Sequence, residues 1–194
     1  MTNGGPDNAS PKGEPRKLDF ENDSPGVLPN AFAHVLGDWT IETTAGGKIL
    51  RQVGEFETPD FPRVILRDIS FTNVHVKVRC SMQGGDTDRA CGLMFRVKDS
   101  ANYYVTRANT LEDNVRLYRV VNGDRQQFAG ADLPVQAHDW HTLEAFAEGT
   151  KLRVVFDGKE IIAAEDATFS AGKVGLWTKA DSITSFDDFE ATEL

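Results

Sequence analysis

Arginine, asparagine and aromatic residues recur between positions 96 and 177 at spacings that can set them on one side of a β-sheet. Leu93 and Phe95 alternate as inward positions, so the two-residue repeat of a strand turns Arg96 to the opposite face. The same parity sets Arg116 and Tyr118 against Val115 and Leu117, and Trp177 against Val174, Leu176 and Thr178; Tyr104 is expected to join them. Arg107, Asn109 and Asn114 would then form a polar rim. That combination suits a sugar: rings stack on apolar C–H faces while guanidinium and amide groups bond to hydroxyls. The competing reading is that Tyr118 and Trp177 merely cover the second face of a sheet beneath a long loop, with arginine stems laid over them.

Templates for other chemistry fail. There is no Gly-x-Ser-x-Gly elbow, no His-Glu-x-x-His and no phosphate-cradling glycine loop. His138 and His141, three apart, could supply half of a metal site, but a histidine at a sheet edge with an ordinary hydrogen bond is the simpler expectation, and no metal site is assigned. Asp99, Glu112, Asp113 and Glu144 receive no catalytic role; Glu144 faces away from the core if Leu143 and Ala145 face inward. Cys80 and Cys91 are expected at the two ends of a hairpin loop, residues 81–90, where a cross-strand disulfide is conceivable and two buried free thiols are the favoured reading.

The elements that must position these residues are short strands. Val74, Val76 and Val78 alternate with His75, Lys77 and Arg79, and the pattern returns in Leu93-Phe95-Val97, Leu143-Ala145, Leu152-Val154-Phe156 and Val174-Leu176. Asn122-Gly123 and Asp157-Gly158 each join two such runs and supply the positive φ that a type I′ hairpin turn demands. Helical periodicity is missing; the nearest candidate, residues 24–36, is interrupted by Pro25, Gly26 and Pro29. Many short strands with turn residues between them predict an all-β sandwich or barrel.

A chain of 194 residues suits one domain, and 40% hydrophobic with 26% charged residues suits a globular one. Residues 1–17, rich in glycine and proline, read as a disordered tail, and residues 18–194 as the folded domain. The formal charge of −9 opposes a nucleic-acid partner, although Arg96, Arg107, Arg116, Arg119 and Arg125 fall in one short stretch. No run of 18 apolar residues predicts a membrane span. As written the chain reads as unexported, and an exported chain whose leader had been trimmed would read the same.

The stretch from Cys91 to Glu190 carries a resemblance. It runs through Gly92-Leu93-Met94-Phe95-Arg96, Asn102-Tyr103-Tyr104-Val105-Thr106-Arg107-Ala108-Asn109, Asn114-Val115-Arg116-Leu117-Tyr118, Trp140-His141-Thr142-Leu143, Phe156-Asp157-Gly158-Lys159, Gly172-Lys173-Val174-Gly175-Leu176-Trp177-Thr178 and Phe186-Asp187-Asp188-Phe189. This resembles the concanavalin A-like lectin and glucanase superfamily, in particular its laminin G-like and 3-keto-disaccharide hydrolase-like domains.

The resemblance implies an antiparallel two-sheet jelly roll, with the sugar face on its concave sheet. The superfamily's glucanases carry two carboxylates at two-residue spacing; the nearest approach here, Glu55-Phe56-Glu57, runs into Pro59 and Pro62 and reads as loop. Its members often hold one structural calcium between first and last strands, for which Asp19, Glu21, Asp187 and Asp188 are the candidates, with simple solvated acids as the favoured alternative. Function belongs to the site and not to the fold. Non-catalytic binding of a glycan or oligosaccharide leads, with a 3-keto-glycoside hydrolase and a laminin G-like protein-interaction module as alternatives.

Overall fold

The computed structural model describes residues 14–194. Fifteen strands follow one another: β1 (Arg16–Leu18), β2 (Phe32–Leu36), β3 (Trp39–Thr44), β4 (Gly47–Gln52), β5 (Arg63–Leu66), β6 (Val74–Gly84), β7 (Ala90–Asp99) and β8 (Asn102–Asn109). They continue as β9 (Asn114–Val121), β10 (Asp124–Asp132), β11 (His141–Glu148), β12 (Lys151–Phe156), β13 (Lys159–Glu165), β14 (Lys173–Trp177) and β15 (Ile183–Glu193). No helix occurs among the described residues.

The strands form two antiparallel sheets. The eight-stranded sheet runs β13-β12-β11-β6-β15-β4-β3, with β1 also paired to β15; the seven-stranded sheet runs β10-β9-β8-β7-β14-β5-β2. Such interleaving of distant strands is what makes the sandwich a jelly roll rather than a stack of hairpins. Of the expected tail, residues 1–13 lie outside the described residues, whereas Arg16 and Lys17 belong to β1 and pair with Ala191 and Glu190.

Alternation builds most of the core as expected, but Val97, read as inward with Leu93 and Phe95, lies in the outer-face cluster because the positive φ at Arg96 reverses the phase. Val74, Val76 and Val78 of β6 turn inward beside Leu143, Ala145, Leu152 and Val154, and meet Leu93, Phe95, Leu117 and Leu176 from the other sheet. Each such valine or leucine contributes about 1.5–3 kcal/mol by leaving water, offset by the entropy of ordering the chain. Both foreseen hairpin turns form, joining β9 to β10 through Asn122 (φ 52°) and Gly123 (φ 85°), and β12 to β13 through Asp157 (φ 47°) and Gly158 (φ 77°).

The cysteines depart from expectation. β6 and β7 are not a hairpin: they lie in opposite sheets, and the segment between them crosses from one to the other. Period-two parity turns Cys80 inward like Val78 and Cys91 inward like Leu93, so the thiols face each other across the core. They are disulfide-bonded with Cα atoms 6.4 Å apart, within the span such a bond requires, and are not free.

Candidate functional site

The residues singled out by chemistry gather mainly on the outer face of the seven-stranded sheet. Tyr103, Val105, Arg107 and Asn109 of β8 share that face with Val120, Tyr118, Arg116 and Asn114 of β9, their direct cross-strand partners. Trp177 of β14 lies between Gly92 and Arg63 in the neighbouring strands. Glycine is required at position 92 because a Cβ there would meet the Trp177 ring at 3.0 Å and the Thr106 carbonyl oxygen at 3.1 Å. The indole therefore lies low on the sheet and builds a second apolar cluster with Met94, Val97, Tyr103, Val105, Tyr118 and Val120.

A loop of residues 53–62 closes over this cluster. Its Asp60 and Pro62 carbonyls accept hydrogen bonds from Ala180 N and Thr178 N, and Phe61 stacks on Trp177 with ring centroids 5.2 Å apart. Glu55, Phe56 and Glu57 lie in this loop, as their prolines suggested. Arg125, from the edge strand β10, reaches over the same rings, its guanidinium carbon 4.5 Å from the Tyr118 centroid, 4.9 Å from Phe61 and 5.8 Å from Trp177.

At one end of the face the aromatic floor gives way to a polar network. Arg107, only 3% exposed, donates to Asn114 Oδ1 at 2.6 Å, to Glu112 Oε2 at 2.6 Å and to Tyr118 Oη at 3.2 Å. Asn109 Oδ1 accepts from the backbone of Leu111 and Glu112, fixing the turn that presents Glu112, while its Nδ2 donates to Asp88 at 2.7 Å. Asp88 is buried and pairs with Lys179 Nζ at 2.5 Å. The carboxylate of Asp181 accepts three backbone N–H groups, from residues 86, 87 and 88, which holds the Asp88 loop in place. Burial alone would raise the Glu112 pKa; hydrogen bonding to Arg107, the Arg107 charge and the Asn114 amide outweigh it, so the group stays below the usual carboxylate range.

Among the described residues, Arg63 Nε, Arg107 Nε and Arg125 Nη1 of this face are buried with no partner, and the Trp177 indole N–H lies beside the Tyr103 hydroxyl. Leaving a buried donor unpaired costs about 1–3 kcal/mol; the eight-stranded sheet carries such atoms too, Arg51 Nε and Thr192 Oγ1.

Two expected members are elsewhere. Arg96 adopts φ 48° where the β7 register slips, and the bulge throws its side chain off the face to the end of the sandwich. There it is 1% exposed and donates to the carbonyls of Thr72, Gly149 and Phe169, a structural clamp. Tyr104 points into the core against Phe95 and Phe169, and its hydroxyl donates to Asp166 Oδ1 at 2.5 Å. The six that remain, Arg107, Asn109, Asn114, Arg116, Tyr118 and Trp177, do come together. Trp177 and Tyr118 lie beneath Phe61 and Arg125 instead of forming an open floor, as the covered-sheet reading anticipated. Sequence reasoning missed Asp88 and Lys179, which sit in loops without periodicity, and Phe61, whose loop carries no stacking signal.

The other candidates are ordinarily bonded. His141 contacts Asp157 Oδ2 and the Gln136 carbonyl, each at 2.8 Å, and His138 contacts Gln83. Asp19 Oδ1 accepts from Glu21 N, Glu21 Oε1 accepts from Lys48 N, and Asp188 pairs with Arg79 at 2.9 Å. Burial and the neighbouring charges of Asp188 and Glu21 raise the Asp187 pKa, so three of the four acids lie within electrostatic reach of one another; among the described residues no three His, Cys, Asp or Glu side chains gather in a metal-holding arrangement. Clefts of about 570 and 330 Å³ open near Arg67 and near Lys77, and neither includes a residue of the Trp177 face.

The architecture is that of the concanavalin A-like jelly rolls. No family model matches the sequence. Among solved structures, the carbohydrate-binding module CBM66 from Bacillus subtilis superposes with a TM-score of 0.72 at 23% identity, covering 84% of this chain and 95% of that one. A β-glucanase of Bacillus licheniformis superposes with a TM-score of 0.60 at 11% identity, covering 94% and 99%. In sequence, the chain is 26% identical over 146 residues, 75% of its length, to a levanase of Bacillus subtilis, and spans 21% of that relative's length.

Proposed function

We propose that the chain is a non-catalytic glycan-binding module whose ligand sits on the outer face of the seven-stranded sheet. One observation carries the reading: the half-buried Phe61 ring, stacked on Trp177, and the Arg125 guanidinium above Tyr118 form the outer layer of this face beside a buried Arg107 N–H left without a partner among the described residues. A sugar laid over that layer would offer C–H surface to the ring and oxygen to the guanidinium groups. The likeness to CBM66 and to part of a levanase supports the same reading.

Catalysis by this face is disfavoured by its carboxylates. A general acid needs a proton at neutral pH, hence a raised pKa. Glu112 is instead held ionised by Arg107, and Asp88 is locked between Asn109 and Lys179. The test is a glycan array that includes fructans, run with the native chain and with Arg107→Lys, which keeps the charge and loses the forked geometry. Binding to a subset of glycans is expected, at least tenfold weaker in the variant, with no reducing sugar released from any bound glycan. Release of sugar would overturn the non-catalytic reading, and an array with no binding at all would overturn the glycan reading.

A further inference from the structure

We infer that the glycan taken by this face is acidic, bearing a carboxylate or a sulfate ester, and that Arg125 selects it; the inference rests on the glycan reading above. Among the described residues, three buried side-chain atoms left without partners on the face are N–H donors, on Arg63, Arg107 and Arg125. The carboxylates of its polar network are already engaged, Glu112 with Arg107, Asp88 with Lys179 and Asp132 with Arg116, while the covering loop adds the exposed Glu55, Glu57 and Asp60. A neutral sugar presents hydroxyls that donate as readily as they accept, and such a network leaves many of those protons without an acceptor. An anion accepts only.

Charge points the same way. Arg107, Arg116 and Lys179 each have a carboxylate, but among the described residues neither Arg63 nor Arg125 does. Arg63 spends its Nη atoms on the carbonyls of Phe61 and Ser100. Arg125 has aromatic faces around it and an Nη1 with nothing to donate to. In a chain of net charge −9, two guanidinium groups on one face without a carboxylate partner are available to an anion. Arg125 stands half-buried on edge strand β10, two residues before the register shift between Gln127 and Ala129. A guanidinium fork meets carboxylate or sulfate oxygens in paired hydrogen bonds, so the same residue supplies attraction and geometry.

Matched trisaccharides differing only at C6 test this: trigalacturonate, galactotriose of the same linkage and its 6-sulfated form, with the corresponding gluco and manno series. The expected result is that in at least one series an acidic member binds the full-length chain at least tenfold more tightly than its neutral counterpart, and that salt weakens it. Whichever arm binds names the anion. Arg125→Gln should erase the preference, Arg125→Lys should keep part of it, and Arg153→Gln, on the opposite sheet, should leave it unchanged; thermal melts verify that each variant is folded. Neutral members binding as tightly as acidic ones would overturn the inference, as would capture of neutral glycans alone on the array; in both cases the glycan reading survives. If neither the series nor the array shows binding, both fall.

Discussion

On the outer face of the eight-stranded sheet, Arg51 meets Glu42 at 2.8 Å, Arg79 lies between Asp187 and Asp188, His75 meets Glu144 at 2.7 Å, and Arg153 reaches Glu148 and Glu160. Phe146 there stacks flat on His75 with centroids 4.0 Å apart, under the Arg153 guanidinium. On the outer face of the seven-stranded sheet, Trp177, Tyr103 and Tyr118 are buried under a loop, and two guanidinium groups have no carboxylate. Both faces arise from the same alternation of inward and outward side chains. One resolves into matched charges in contact with water, each worth little, with Arg51 Nε and Thr192 Oγ1 left unpaired beneath them; the other buries aromatic rings under a loop and leaves guanidinium groups without carboxylates. What distinguishes the proposed binding face is the covered aromatic cluster and the unmatched Arg63 and Arg125, more than the types of residue it contains.

The largest effect that could break this contrast is truncation of an aromatic side chain on each face. Trp177→Ala should lower stability by about 3–5 kcal/mol, since the indole is wholly buried between Gly92, Phe61 and its cluster; Phe146→Ala should cost about 1 kcal/mol. Urea unfolding measures both, and equal costs would erase the distinction. For this reason Trp177→Ala is a poor probe of binding: it removes the face along with the ligand.

Acid sensitivity sharpens the comparison at the seam between the sheets. Burial would raise the Asp166 pKa, but hydrogen bonds from Thr168, Tyr104 and Arg119 prevail and hold it at about 2, against an ordinary 3.8. A folded-state pKa below the unfolded one gives stabilisation that is present above about pH 4 and lost as pH falls toward 2, amounting to about 2 kcal/mol. Asp166→Asn should flatten the stability profile in that window. Glu144, also held below its usual range by its hydrogen bond to His75, lies on the solvated face, and Glu144→Gln should cost less than about 1 kcal/mol.

The smallest expected effect concerns the acids near the register shift of β15 in the eight-stranded sheet. Because Glu21 and Asp188 already have protein partners, calcium and chelator should give the same melting midpoint. A midpoint raised by calcium would show that this face, too, holds a ligand in reserve.

Much of the fold is legible in residue order: the alternating valines of β6, the Asn122-Gly123 and Asp157-Gly158 turns, and the outward parity of Arg116, Tyr118 and Trp177. Legibility stops where periodicity does. Arg96 is misplaced by one residue of positive φ, which no pattern of side chains announces. Tyr103-Tyr104-Val105 is apolar on both faces, because the outer side of the sheet is itself covered, so its phase cannot be read from hydrophobicity. The cysteine bridge depends on β6 and β7 lying in opposite sheets, a fact of topology. Asp88, Lys179 and Phe61 are brought to the face by loops whose paths no local signal dictates.

The three tryptophan indoles provide the most direct test of where the ligand sits. Trp39 Nε1 donates to the Leu36 carbonyl, Trp140 is 40% exposed and stacked by Arg79 on the eight-stranded side, and Trp177 Nε1 is buried beside the Tyr103 hydroxyl. Titration of a glycan selected from the array, followed by the indole N–H resonances, should move the Trp177 signal and leave those of Trp39 and Trp140 in place. Movement of Trp140 alone, with Trp177 unchanged at saturation, would put the glycan on the other sheet and contradict the account.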